Sequence, residues 1–95
     1  MDQVDNFEKA LFDTTHRIVA KAVVLSEKAQ DLAEAIRELL AKEAPEGMPL
    51  GWVMYIREVA AGLGQDGPDT RRQTLLRRVG DAIVEAIDEG EIYGL

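Results

Sequence analysis

The chain has one histidine, His16, and it follows Asp13 by three residues, the ligand spacing of carboxylate-bridged metal bundles. Such a site needs further inward carboxylates. The helical seam described below has none between residues 11 and 36, and both Asp13 and His16 fall on its polar face. The reading is a solvated histidine, with no metal and no cofactor. Ser26 is the only serine and there is no cysteine, so no Ser/His/Asp or Cys/His arrangement can be assembled. Acids are plentiful, yet none has a second acid beside it in an apolar setting, as a general acid/base pair requires. The glycines of Gly62-Leu63-Gly64-Gln65-Asp66-Gly67 lack the preceding strand and following lysine of a phosphate loop and read as a helix stop and turn. No catalytic residue is assigned, and the chain is not expected to be an enzyme.

Two groups of residues carry binding potential instead. Trp52, Met54 and Tyr55, beside Met48, form the one aromatic and methionine cluster. Such clusters fill cores and are also enriched in interface hot spots. Arg71, Arg72, Arg77 and Arg78 lie in a stretch with no acid, while Asp81, Glu85, Asp88, Glu89 and Glu91 lie in one with no base. Basic at its start and acidic at its end, such a helix opposes the macrodipole, at about 0.3–1 kcal/mol per exposed charge. The charges form either a solvated face of weak i,i+4 pairs such as Arg77–Asp81 or a surface used by a partner.

The elements that must position these residues are helical. Val4, Leu11, Ile18, Leu25, Leu32 and Leu39 recur every seven residues, and Thr15, Ala22, Ala29 and Ile36 each fall four after a rung. That alternation of four and three is the period of a helix packed lengthwise on another helix. Asp5 can cap its start, with Glu8 three residues on, and Pro45 ends it, so the pattern predicts one long helix over 5–44. Ser26 is the one residue at which it could break; without Gly or Pro there, the reading keeps it continuous. A forty-residue helix is about 60 Å long, against a radius of gyration of roughly 13 Å for a compact domain of this size. It must therefore bend back or find a second chain. Residues 18–25 are apolar nearly all round, which implies cover on several sides.

Residues 45–51 form a turn. A second helix is predicted at 51–62, with Trp52, Tyr55, Ile56, Val59, Ala60 and Leu63 on one face and Val53 and Met54 on the other. Thr70 and Gln73 form a capping box opening a third helix over 70–89, which turns Leu75, Leu76, Val79, Ala82, Ile83, Ala86 and Ile87 inward and stops at Gly90. The fold class is all-α: one domain over 1–95, a long heptad-patterned helix followed by a two-helix hairpin, in a helical bundle. The ladder predicts a coiled-coil-like homodimer through Leu11, Ile18, Ala22, Leu25, Ala29, Leu32, Ile36 and Leu39.

Composition narrows the partners. Eighteen acids against eleven Lys and Arg give a net charge of −7, which disfavours nucleic acid and anionic membranes. No apolar run approaches the length of a membrane span, and the acidic N-terminus does not resemble a signal peptide, so a cytoplasmic location is expected.

Ile56-Arg57-Glu58-Val59-Ala60-Ala61-Gly62-Leu63-Gly64 resembles the second helix of winged helix-turn-helix DNA-binding domains. Ala86-Ile87-Asp88-Glu89-Gly90-Glu91-Ile92-Tyr93 resembles the end of their recognition helix and the strand entering the wing. The resemblance covers residues 56–95 and implies a dimeric DNA-binding regulator with Arg71–Arg78 facing DNA. The residues themselves point first to a small, acidic, non-catalytic interaction module, a regulator, adaptor or inhibitor with a protein partner. Its size and charge also suit accessory proteins of phages or mobile elements. The expected contacts are Trp52, Met54, Tyr55, Arg71, Arg72, Arg77 and Arg78.

Overall fold

The computed structural model describes the backbone of residues 2–43, 50–65, 67 and 69–89, with side chains from residue 8 onward. All regular structure among them is helical: α1 (Asp2–Ser26), α2 (Leu32–Glu43), α3 (Leu50–Gly62) and α4 (Arg71–Glu89). The bundle measures 40 × 28 × 19 Å, with a radius of gyration of 13.3 Å. α4 is its hub and touches each of the other three helices.

The long helix predicted over 5–44 is therefore two helices, broken just after Ser26. The break needs neither Gly nor Pro because hydrogen bonds close both sides of it. Ser26 Oγ donates to the Val23 carbonyl at 2.6 Å, and the amides of Lys28 and Ala29 both turn back to the Leu25 carbonyl, at 3.0 and 2.8 Å. Asp31 then caps α2, its Oδ1 accepting from the Glu34 amide at 3.1 Å. Folding back lets the ladder pack on itself. Ile18 and Ala22 of α1 and Ile36, Leu39 and Leu40 of α2 are buried in one core, with Leu25 and Leu32 packed against it. Six of the eight residues assigned to a dimer seam thus pack against their own chain's helices, while Leu11 and Ala29 are half-buried outside that core. Beyond the corner, Glu43 of α2 reaches Lys21 and Arg17 of α1, the latter at 3.8 Å.

α3 and α4 run antiparallel, and three contacts fix their register. Arg57 donates to both carboxylate oxygens of Asp88, at 2.8 and 3.0 Å. Gly80 lies against Ala60. Arg77 donates to the Gly64 carbonyl at 3.0 Å. Gly64 takes a φ of +72°, and a Cβ there would stand 2.5 Å from the Gln73 carbonyl oxygen, so both the turn and the close approach require glycine. Thr70 caps α4 as predicted, its Oγ1 accepting from the Gln73 amide at 3.1 Å. Of the inward face predicted for α4, Val79, Ala82, Ile83, Ala86 and Ile87 are buried, while Leu75 and Leu76 are only half-buried. On α3 the faces shift. Val53, placed outward by the sequence reading, is buried beside Ile56 and Ala60, while Trp52 and Tyr55 are only half-buried. The predicted stop at Gly90 and the Met48 member of the aromatic cluster lie outside the described residues.

Candidate interaction surface

The arginine stretch occupies the first two turns of α4. Thr70 and the Gly64 turn set where the helix begins, and the buried Val79–Ile83 side sets which way it faces. Arg71, Arg72, Arg77 and Arg78 are all exposed. They do not act alike. Arg77 is tied to the Gly64 carbonyl and joins the loop to the helix. The side chains of Arg71, Arg72 and Arg78 have no hydrogen bond or ion pair among the described residues. These three line an open groove with Thr74 and Leu75 of α4 and Ser26 and Glu27 of the α1 corner. A second groove follows, between α4 (Thr74, Arg77, Arg78, Asp81, Ala82, Glu85) and the start of α2 (Asp31, Leu32, Ala33).

Sequence reasoning missed the far wall of both grooves. Thr74 and Leu75 were legible as neighbours of Arg71 and Arg78 at helical spacing. Ser26, Glu27 and Asp31 reach α4 only because the chain turns at residues 27–31. One local signal for that turn exists, the pattern Asp31-x-x-Glu34, an acidic cap followed by Glu at the third position.

Trp52, Met54 and Tyr55 do not join the arginines. In the antiparallel register Arg57 is level with Asp88, and Trp52 lies a further turn away. At 1.5 Å per residue, the levels of Arg71 and Asp88 are about 25 Å apart along α4. Within the cluster, Met54 is 52% exposed and Trp52 packs partly on the core. Asp13 and His16 are both exposed, and the His16 ring lies against Phe12, centroids 4.8 Å apart. Among the described residues no group of three or more His, Asp or Glu side chains is placed to hold a metal ion. Among them, too, no helix is long and apolar enough to cross a membrane.

Among the described residues, two carboxyl groups are held below the ordinary range by specific partners. The Asp88 carboxyl is lowered chiefly by its hydrogen bonds from Arg57, and Glu43 chiefly by its hydrogen bond from Lys21. Both tie helix to helix, and neither lines the arginine groove.

Compared with known proteins, the chain matches no protein-family model, no curated protein and no solved structure.

Proposed function

We propose that the chain is a non-catalytic interaction module, a small regulator, adaptor or inhibitor that works by binding an acidic surface of another protein. The observation that supports this reading is the set Arg71, Arg72 and Arg78. Three exposed guanidinium groups share one groove and lack an acidic partner among the described residues. Their charge opposes the positive end of the α4 dipole, which a stable helix avoids unless something outside uses it. Guanidinium forks match carboxylates two hydrogen bonds at a time, so an acidic partner offsets that cost. A second reading, a DNA-binding regulator, draws on the same arginines opening the second helix after a turn, an arrangement that can also reach phosphates.

The test is affinity capture from native lysate with the tagged wild type and the Arg71→Ala/Arg72→Ala variant, with and without nuclease. A stoichiometric protein that survives nuclease and is lost from the variant supports the interaction module. Equal capture by the variant overturns the arginine assignment. DNA recovered with the wild type, with co-purifying proteins lost after nuclease, replaces the first reading with the second.

A further inference from the structure

Six side chains on the outside of α4 follow one another at spacings of three and four: Arg71, Thr74, Arg78, Asp81, Glu85 and Asp88. All six are exposed. Residues so spaced lie on one face, so they form a single ridge along nearly the whole helix. The charge changes sign once, between Arg78 and Asp81. Along one side the ridge borders the two grooves against the 26–33 corner, with half-buried Leu32, Ala33 and Leu75 at their apolar margin.

The ridge is its own complement. Rotated by 180° about an axis through the midpoint between Arg78 and Asp81, it presents Asp88 to Arg71, Glu85 to Thr74 and Asp81 to Arg78. Every arginine meets an acid, and each contact occurs twice. A two-fold interface has this property, because one patch must recognise itself. Among the described residues, Arg71, Arg78, Asp81 and Glu85 have no ion pair within the chain that such a contact would have to break. Asp88 is held by Arg57, and a carboxylate with two oxygens can take a second cation.

We propose that the outer ridge of α4 docks antiparallel on the same ridge of a second copy of this chain. The matched charges set the direction and register of pairing, and the apolar margin of the grooves adds contact area. The net charge of −7 on each copy opposes association at long range, so the dimer depends on the local matching. The same arginines carry the protein contact proposed above. If that reading holds, a partner must displace the second copy, and dimerisation regulates access to the groove. The dimer itself does not depend on it.

The test is sedimentation equilibrium on the wild type, Arg78→Glu, Asp81→Arg and an equimolar mixture of the two variants, with circular dichroism as a check on folding. Both substitutions are at exposed positions of one helix and leave the core untouched. Arg78→Glu alone sets acid against acid twice across the axis, and Asp81→Arg alone sets base against base twice. The wild type is expected to dimerise below about 1 mM, and each variant to associate about tenfold more weakly. The mixture sets the introduced glutamate against the introduced arginine and should regain the wild-type association as a heterodimer. A wild type that stays monomeric at about 1 mM overturns the proposal. So does a dimer unaffected by either substitution, or a mixture no better associated than its parts. None of these outcomes bears on capture of a protein partner, so the two readings fail separately.

Discussion

Gly80 of α4 lies so close to Ala60 of α3 that a Cβ at position 80 would overlap the Ala60 carbonyl oxygen and stand 3.0 Å from the Leu63 Cβ. The hub of the bundle is therefore set by a missing side chain. Intrinsic propensity favours alanine over glycine in a helix by about 1 kcal/mol. Here sterics win, because the obstacle is backbone and cannot rotate away. Gly80→Ala should destabilise the fold by about 2 kcal/mol net, lowering the melting temperature by roughly 10 °C. Gly62→Ala is the control: nothing lies within 4 Å of its added methyl, and its φ is not in the left-handed region. That variant should gain about 0.5–1 kcal/mol. Urea denaturation of both variants checks the pair, and equal effects would refute the close approach.

The corner between α1 and α2 depends on Asp31, whose side chain accepts the Glu34 amide at 3.1 Å. Asp31→Ala leaves that donor without its cap and should cost about 1 kcal/mol. Asp31→Asn, which keeps an acceptor oxygen, should cost less. Thermal melts of the two variants check the difference.

This corner also marks the limit of what the sequence could tell. Seven-residue spacing records which face of a helix is apolar, and it reads the same whether the partner is another chain or the same chain folded back. Leu25, Leu32 and Leu39 keep their phase across residues 27–31, so the ladder passes unbroken through a turn that the backbone does not. The inward residues of α4 from Val79 onward, the Thr70 cap and the stop near Gly64 were legible because each is a local pattern. Val53 was not. On α3 apolar residues occupy most of the circumference, and burial there is decided by where α4 lies rather than by periodicity. The arginines were legible as a charge run, but the grooves beside them were not, since Ser26 and Leu32 come from elements far away in sequence.

Acid should loosen both helix-to-helix ion pairs. The Arg57 guanidinium holds the Asp88 carboxyl, and Lys21 with Arg17 holds the Glu43 carboxyl, below their ordinary values. A carboxyl whose folded value is depressed adds stability above its unfolded value, and that stability is lost as pH falls through the folded one. Melting temperature should therefore be flat from neutral pH to about 5 and fall below about 4, where free carboxyls titrate. Asp88→Asn and Glu43→Gln should melt below the wild type at pH 7 and converge with it in acid. Because both pairs are exposed, high salt should also shrink the difference. A constant gap across the pH range would show that these carboxylates matter for packing and not for charge.

The two groups of residues singled out for binding lie at opposite ends of the α3–α4 hairpin, and that separation makes a partner's footprint measurable. Along α4, Met54 lies about 30 Å from the level of Arg71 and about 20 Å from that of Arg78, so a compact partner centred on Arg71 and Arg72 does not cover it. Met54→Ala and Arg71→Ala/Arg72→Ala all change exposed side chains, so each should shift stability by less than about 0.5 kcal/mol. Any effect on binding can then be read directly. Arg71→Ala/Arg72→Ala should abolish capture of the acidic partner, because it removes two of the three guanidinium groups that line the groove, whereas Met54→Ala should leave capture intact. Titration of the captured partner against each variant by calorimetry checks this. Loss of binding with Met54→Ala alone would move the interface to the Trp52 end, where Trp52 and Tyr55 are half-buried and Met54 stands out from α3.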